Sequence, residues 1–285
     1  MSELPADIGP TTEAVIKESM RITPDNTEEV RHLVVQVLDP AFQFREGQSI
    51  SVVVPGPHPF GNPYHVRRYS IANARSLPMD DSVALDILVR RCFYVDEISG
   101  ERFPGIASNF LCDAKPGTRL TIAGPHRSPF TMPLDKRANL LMIGTGTGIA
   151  PFRAFAQLIY ERLGDWMGQV RLFYGGRSGL DLMYANDEKT DLSNYYDEKT
   201  FKAFKALAPR PMMSSSQALE GSLKDHVDEA WDLINQENTF VFLSGLEKIA
   251  GVFDKVMAEK AGSMEDWKAM KQQLIDQKRW SELIY

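Results

Sequence analysis

Leu141-Met-Ile-Gly144-Thr-Gly146-Thr-Gly148-Ile-Ala-Pro151 is the stretch on which the fold turns. A short apolar run ends in three alternating glycines, and Pro151 follows where the first turn of a helix tolerates a residue without an N–H. The stretch reads as a strand, a tight turn and the start of a helix. Glycines there let the backbone approach a ligand closely. The free N–H groups and positive dipole end of the helix suit a diphosphate. It is not the phosphate loop of nucleotide triphosphatases, because no Gly-Lys-Ser/Thr follows. A purely structural strand-to-helix turn fits the same residues, so this stretch alone sets the architecture and not the ligand.

Working outward, the C-terminal side repeats the rhythm. Strands Leu140–Ile143, Gln169–Tyr174 and Thr239–Leu243 are separated by helical stretches, beginning with one from about Pro151, and a last helix spans Met264 to Lys278. Strands alternating with helices predict a parallel, Rossmann-like α/β sheet. Upstream, short apolar stretches such as His32–Leu38, Ser49–Val54, Val83–Val89 and Arg119–Ala123 are divided by Pro/Gly turns, the pattern of an antiparallel barrel or sandwich. Residues 1–30 are polar, carry Pro5, Pro10 and Pro24, and include the amphipathic fragment Glu13–Met20, which reads as an extension with one short helix. The expected organisation is an extension over 1–30, a barrel domain over 31–137 and an α/β domain over 138–285, with the linker near Asp135 to Ala138.

Composition narrows the chemistry. The chain has 285 residues, 43% hydrophobic and 25% charged, the profile of a folded protein of two ordinary domains. Its two cysteines, Cys92 and Cys112, are too few for a disulfide framework, an all-cysteine zinc site or a cysteine-ligated iron–sulfur cluster. No metal site is expected, and any electron chemistry must use another cofactor. The net charge of −6 argues against nucleic-acid binding. It conceals a local reversal: residues 51–137 carry 11 Lys/Arg against 8 Asp/Glu, whereas residues 1–50 carry 4 against 9. This reversal fits either an acidic partner or an ordinary solvated face. No apolar run approaches the ~20 residues a membrane span needs, and the first ten residues lack the basic and apolar regions of a secretion signal. A soluble cytoplasmic protein is the expectation.

Arg67-Arg-Tyr-Ser70 adds a chemical signal in the barrel zone. A guanidinium clamps phosphate, an aromatic ring lies against a flat heterocycle, and a hydroxyl bonds a ring nitrogen, so these residues suit a flavin nucleotide. A strand edge with a surface arginine pair is the plainer alternative.

The order of segments resembles the plant-type ferredoxin–NADP reductase family from about residue 31 onward. The matching pieces are Arg45-Glu-Gly-Gln-Ser49, Arg67-Arg-Tyr-Ser-Ile-Ala72, Val89-Arg-Arg91 with Tyr94, Gly105-Ile-Ala-Ser-Asn-Phe-Leu-Cys112, Pro116-Gly117, the glycine-rich turn through Arg153, Leu172-Phe-Tyr-Gly-Gly176, Leu182-Met-Tyr184, Asn238 through Leu246, and the terminal Trp280 to Tyr285. The resemblance implies an N-terminal six-stranded antiparallel barrel holding FAD and a C-terminal five-stranded parallel domain holding NAD(P)H, with nicotinamide and isoalloxazine meeting at the cleft.

Carried onto this chain, the resemblance assigns Arg67 to the FAD phosphate, Tyr69 to stacking on the flavin, and Ser70 to a hydrogen bond near flavin N5. Gly105, Ile106, Ala107 and Ser108 would present helix N–H groups to the FAD pyrophosphate, while Val89, Arg90 and Tyr94 line the adenosine side. Gly144, Thr145, Gly146 and Thr147 would lie under the nicotinamide dinucleotide. Tyr285 would cover the flavin face as a movable aromatic lid.

Three departures stand out. Ser244 occupies the place of the family's cysteine near the nicotinamide. Leu283 replaces the acidic residue two before the terminal aromatic, leaving Glu282, one place earlier, as the stand-in for proton delivery. The usual Ser-Arg and Lys-x-Tyr cradle for an adenosine 2′-phosphate is not evident; Ser214 and Ser215, with Arg177 or Arg210, are the candidates, and Glu220 would oppose the same phosphate. NADPH is therefore favoured over NADH by the resemblance alone.

The implied activity is that of an FAD-dependent oxidoreductase exchanging electrons between NAD(P)H and a one-electron carrier, a ferredoxin or flavodoxin, through hydride transfer at flavin N5. Arg67, Arg68, Arg75, Arg90, Arg91, Lys136 and Arg137 would steer an acidic carrier. Two other readings stay open: an FAD-carrying subunit or regulator of a larger complex, contacted through the acidic stretch Asp181 to Glu198, and a reductase of a small acceptor.

Overall fold

The computed structural model describes residues 8–58, 62–75, 83–210 and 213–285. The chain divides into two compact units, one ending at Ser128 and the other spanning Pro129–Tyr285.

The first unit is a six-stranded antiparallel sheet with one helix. Its elements are β1 (Thr11–Arg21), β2 (Val30–Val37), β3 (Ser49–Pro55), β4 (Tyr64–Ser70), β5 (Val83–Arg90), the short hairpin β6 (Phe93–Val95) and β7 (Arg102–Pro104), α1 (Ile106–Asp113) and β8 (Arg119–His126). The strand order is β4-β3-β8-β1-β2-β5, and an antiparallel bridge between Ile71 and Ile87 joins the two edges into a barrel. Ile16, Leu33, Val52, Ile87 and Ile122 fill its interior.

The stretch expected to be an extension with a short helix is instead β1, paired with β8 on one side and β2 on the other. Ala14 and Ile16 point inward and are fully buried. A register shift between Ile16 and Glu18 then breaks the alternation. That bulge disguises the two-residue period of the strand as an amphipathic helix.

The second unit contains β9 (Asn139–Thr145), α2 (Ile149–Gln157), β10 (Val170–Gly176), β11 (Phe201–Leu207), α3 (Ser215–Asp225), α4 (Val227–Ile234), β12 (Thr239–Gly245), α5 (Lys248–Ala261), α6 (Met264–Asp276) and β13 (Trp280–Ile284). The five strands run parallel in the order β11-β10-β9-β12-β13. β9, covered on both faces, is buried along its whole length, as a strand inside a doubly wound sheet should be. The unit begins ahead of the expected linker because Phe130 packs among Phe152, Phe155 and Phe242, which draws the chain into this core before Asp135.

Arg153 in α2 is 5% exposed. Its guanidinium bonds Asp191 at 2.6 and 3.0 Å and lies over the ring of Tyr184, tying the irregular chain after β10 to the helix that follows the glycine turn. Among the described residues no helix is long and apolar enough to cross a membrane.

Candidate functional site

In the first unit the site residues gather on β4, on the β6–β7 hairpin and at the start of α1. The two-residue period of β4 puts Arg67 and Tyr69 on one face and Arg68 and Ser70 on the other. Arg67 and Arg68 are exposed, and no carboxylate pairs with either among the described residues. Their charge is available to an anion. Tyr69 packs against the barrel core, and burial pushes its phenol well above the ordinary tyrosine range, so it stays protonated.

α1 begins at Gly105 with no side-chain cap and no acidic residue in its first turn. Its leading N–H groups are therefore free for an outside acceptor. A Cβ at Gly105 would lie 2.9 Å from Ser108 Oγ and 3.3 Å from the Cys92 carbonyl, which explains the glycine. Ser108 Oγ accepts from Cys92 N, while Asn109 donates to the Cys92 and Gly105 carbonyls, and these bonds fix the entry to the helix. Ile106 and Ala107 follow in the first turn, Ala107 buried against the barrel. Tyr94 is 57% exposed and stacks on Phe103 with ring centroids 5.3 Å apart, presenting a flat aromatic plate.

Two expectations change. Val89 is fully buried in the barrel core, in register with Arg31, so it has no side chain to offer a ligand. The expected steering charge is largely spent. Arg91 bonds Glu29, Asn109 and Asp113, Arg90 pairs with Glu28, Lys136 with Asp165 and Arg137 with Asp135. Arg67, Arg68 and Arg75 have no ion-pair partner among the described residues.

In the second unit the glycine turn closes the carboxyl end of β9, where ligands of open parallel sheets bind. A Cβ at Gly148 would lie 2.1 Å from the Ser244 carbonyl, so the turn rests directly on the end of β12. Gly144 and Gly146 shape the same turn, and Tyr174 Oη donates to the Gly146 carbonyl at 2.9 Å. Sequence reasoning did not single out Tyr174; its signal is the Leu172-Phe-Tyr-Gly-Gly176 motif. Thr145 Oγ1 and Ser244 Oγ are buried with no hydrogen-bond partner. Buried hydroxyls are normally paired, and two orphans beside a glycine turn fit a polar ligand such as a nicotinamide dinucleotide. Thr147 Oγ1 and Tyr285 Oη share a hydrogen bond of 2.7 Å, and Tyr285 N donates to the Gly245 carbonyl. Tyr285 is 49% exposed.

Glu282 is directed elsewhere. Its carboxylate accepts from Trp280 Nε1 at 2.7 Å and pairs with Lys271 of α6, which also holds Asp254. Leu283, not Glu282, stands in register with Ser244. The strand period places the two side chains on opposite faces.

The expected phosphate-binding candidates are also separated. Arg177 pairs with Asp181 at 3.6 Å. Ser214 caps α3, its Oγ accepting from Gln217 N while Gln217 Oε1 accepts from Ser214 N, and Ser215 opens the helix. Glu220 does not stand against an anion unopposed: Lys255 at 2.7 Å and Lys224 at 3.3 Å neutralise it, and the bond to Lys255 is the main cause that holds its carboxyl below the usual range.

Comparison with known proteins agrees with this geometry. Residues 142–255 match the family model described as the oxidoreductase NAD-binding domain. A leaf isozyme of chloroplastic ferredoxin–NADP reductase from Oryza sativa subsp. indica is 32% identical over 272 residues, covering 93% of this chain and 74% of that protein. The ferredoxin–NADP reductase of a Spirulina species is 30% identical, covering 91% of this chain and 90% of its own. In fold, the chain is similar to the ferredoxin–NADP+ reductase of Plasmodium falciparum, with a TM-score of 0.73 at 19% identity over 96% of both chains. The motifs, the barrel and parallel-sheet architecture and these relatives agree, and the chain belongs to the plant-type ferredoxin–NADP reductase family.

Proposed function

We propose that this protein is an FAD-dependent oxidoreductase that exchanges electrons between NADPH and ferredoxin, with FAD held by the first unit and the nucleotide by the second. The observation that carries the reading is the pair of buried, unpartnered hydroxyls of Thr145 and Ser244 beside the glycine turn. Bound FAD supplies the conversion between hydride chemistry with a nicotinamide and single-electron transfer with a carrier.

The remaining work falls to side chains and backbone. Arg67 neutralises the FAD diphosphate together with the open N–H groups of Gly105 through Ser108. Tyr69 gives its ring to the flavin, Ser70 Oγ donates a hydrogen bond to its edge, and Tyr94 with Arg90 borders the adenosine. Gly144 through Thr147 and the start of α2 receive the dinucleotide, and Ser244 Oγ donates to it where relatives place a thiol. Tyr285 gives up its bond to Thr147 when the nucleotide enters, which makes the terminal ring a gate. We assign Glu282 to the Trp280–Lys271 network and to no proton transfer, so Ser70 Oγ is the proton-bearing group left at the flavin edge in this reading. The unspent charge of Arg68 and Arg75 supports an acidic carrier, a ferredoxin or a flavodoxin.

Anaerobic mixing of the FAD-loaded protein with NADPH, and separately with NADH, tests the reading by following the oxidised flavin absorbance. Rapid bleaching with NADPH, followed by reduction of added ferredoxin, is expected. Bound FAD that neither nucleotide bleaches would overturn it.

A further inference from the structure

Tyr174, near the end of β10, is 2% exposed. It stands in register with Gly144 of β9, and residues paired in register share a face of the sheet. For Gly144 that is the face covered by α2, since a Cβ there would lie 2.9 Å from the Phe152 ring. The tyrosine ring therefore lies on the α2 side, and its Oη donates to the Gly146 carbonyl at 2.9 Å. Burial holds the phenol well above the ordinary tyrosine range, so the hydroxyl remains a donor. The backbone N–H of Met183 is directed at the same oxygen. One buried hydroxyl thus joins the glycine turn to the chain after β10, the segment whose Asp191 also holds Arg153 of α2.

The turn needs such an anchor. Gly146 has a φ of +56°, and a Cβ on it would meet nothing within 4 Å, so no packed side chain holds this peptide in place. Glycine also loses more conformational freedom on ordering than any other residue. The Tyr174 bond, with that of Ile149 N to the same carbonyl, fixes the peptide plane between Gly146 and Thr147. That peptide is trans. In a trans peptide the N–H points opposite to the C=O, so drawing the Gly146 carbonyl toward Tyr174 turns the Thr147 N–H away from it. The hydroxyl therefore sets the orientation of a backbone donor in the turn without itself reaching a ligand.

We propose that Tyr174 is a positioning residue for the nucleotide: its hydroxyl holds the Gly146 carbonyl so that the glycine turn has its binding shape before the dinucleotide arrives. The inference rests on the reading that this turn receives a nicotinamide dinucleotide. Without the bond, binding has to order the turn, and that cost falls on affinity. Once the nucleotide is seated, its own contacts order the turn, so the rate at saturation is little changed. NADPH and NADH lose equally, because the turn meets the part of the dinucleotide that they share.

The test compares the full-length FAD-loaded protein with its Y174F and Y160F variants. Y174F keeps the ring and removes the hydroxyl. Y160F removes a phenol bonded to Thr200 at 2.9 Å elsewhere in the same unit, and so controls for the loss of one hydrogen bond. Calorimetry measures NADP+ binding, anaerobic stopped flow measures flavin bleaching against NADPH and NADH concentration, and hydrogen exchange follows residues 145–149 without nucleotide. Y174F should weaken NADP+ about 3- to 10-fold, the size of one lost buried hydrogen bond, and lower the protection of the turn. It should raise the half-saturating concentration of each nucleotide that bleaches the flavin by the same factor, and leave the rate at saturation within about twofold, the pattern of a lost binding contribution. Y160F should leave NADP+ affinity and turn protection unchanged. Unchanged affinity in Y174F, an equal loss in Y160F, a fall in protection spread evenly over the second unit, a loss confined to the saturated rate, or no NADP+ binding by the parent protein would overturn the assignment. Loss of NADP+ affinity in Y174F alone, in a protein whose flavin neither nucleotide bleaches, would sustain the assignment and overturn the proposed function instead.

Discussion

The two half-sites are built from different materials. On the barrel, the candidate FAD site relies on projecting side chains: Arg67 with its charge unspent, Tyr69 wedged against the core, Tyr94 stacked on Phe103. On the parallel sheet, the glycine turn relies on backbone laid so close to β12 that a single methyl at Gly148 has no room. A side-chain site loses function in increments. A backbone site fails when its spacing fails.

The largest effect expected from this difference is at Gly148. G148A should destabilise the second unit by about 1–3 kcal/mol, a typical cost of overpacking, and should slow NADPH-driven flavin bleaching on the order of 100-fold, as a displaced binding turn does. Thermal unfolding and stopped-flow absorbance read the two effects. Normal bleaching would break the comparison. R67A comes next: it should weaken FAD retention about 10- to 100-fold, measured by fluorescence of released flavin, with little change in Tm of the FAD-free protein. A smaller effect belongs to Glu282. E282Q weakens a partly exposed pair with Lys271, so a Tm decrease worth less than about 1 kcal/mol is expected. A fall in flavin reduction rate that exceeds the fall in stability would return Glu282 to the reaction.

The smallest effect is one of pH, and it separates the two units. Burial, with His58 and Arg67 nearby, lowers His65 in the first unit, and burial with Arg68 lowers His126, which bonds Ser51 at 2.9 Å. Both rings are neutral in the folded barrel and bind protons more readily when unfolded. Their contribution is therefore present above the unfolded value of 6.5 and is lost as pH falls through the lower folded values. Between pH 7 and 5, hydrogen-exchange protection, taken relative to the intrinsic exchange rate at each pH, should fall in β3, β4 and β8 ahead of β9 and β12. A uniform fall in protection would remove the distinction.

The glycine turn was legible because its chemistry admits few residue types, and the barrel was legible as short apolar runs between Pro/Gly turns. What escaped depends on contacts between distant segments. The bulge in β1 hid a central strand. In β11, Phe201 and Phe204 stand three apart and imitate a helical stripe, although Lys202 and Lys205 face solvent. Val89 follows the family motif, but its side chain is buried by the barrel core that distant strands build around it. Glu220 looks hostile to phosphate in isolation, and its shorter neutralising contact, 2.7 Å to Lys255, comes from the distant α5. The division between Glu282 and Leu283 needs the strand that places one on each face.

The bond between Arg153 and Asp191 also constrains how this sequence can drift. The two residues lie far apart in the chain, and Arg153 depends on Asp191, because a buried charge without its partner costs several kcal/mol, whereas Asp191 also pairs with Lys189 at 3.4 Å. A lineage can exchange them for apolar residues only by a paired step, or by passing through a weakened intermediate. Arg153 also sits in the helix that begins at the glycine turn, so that intermediate would be selected against twice, for its fold and for its grip on nucleotide.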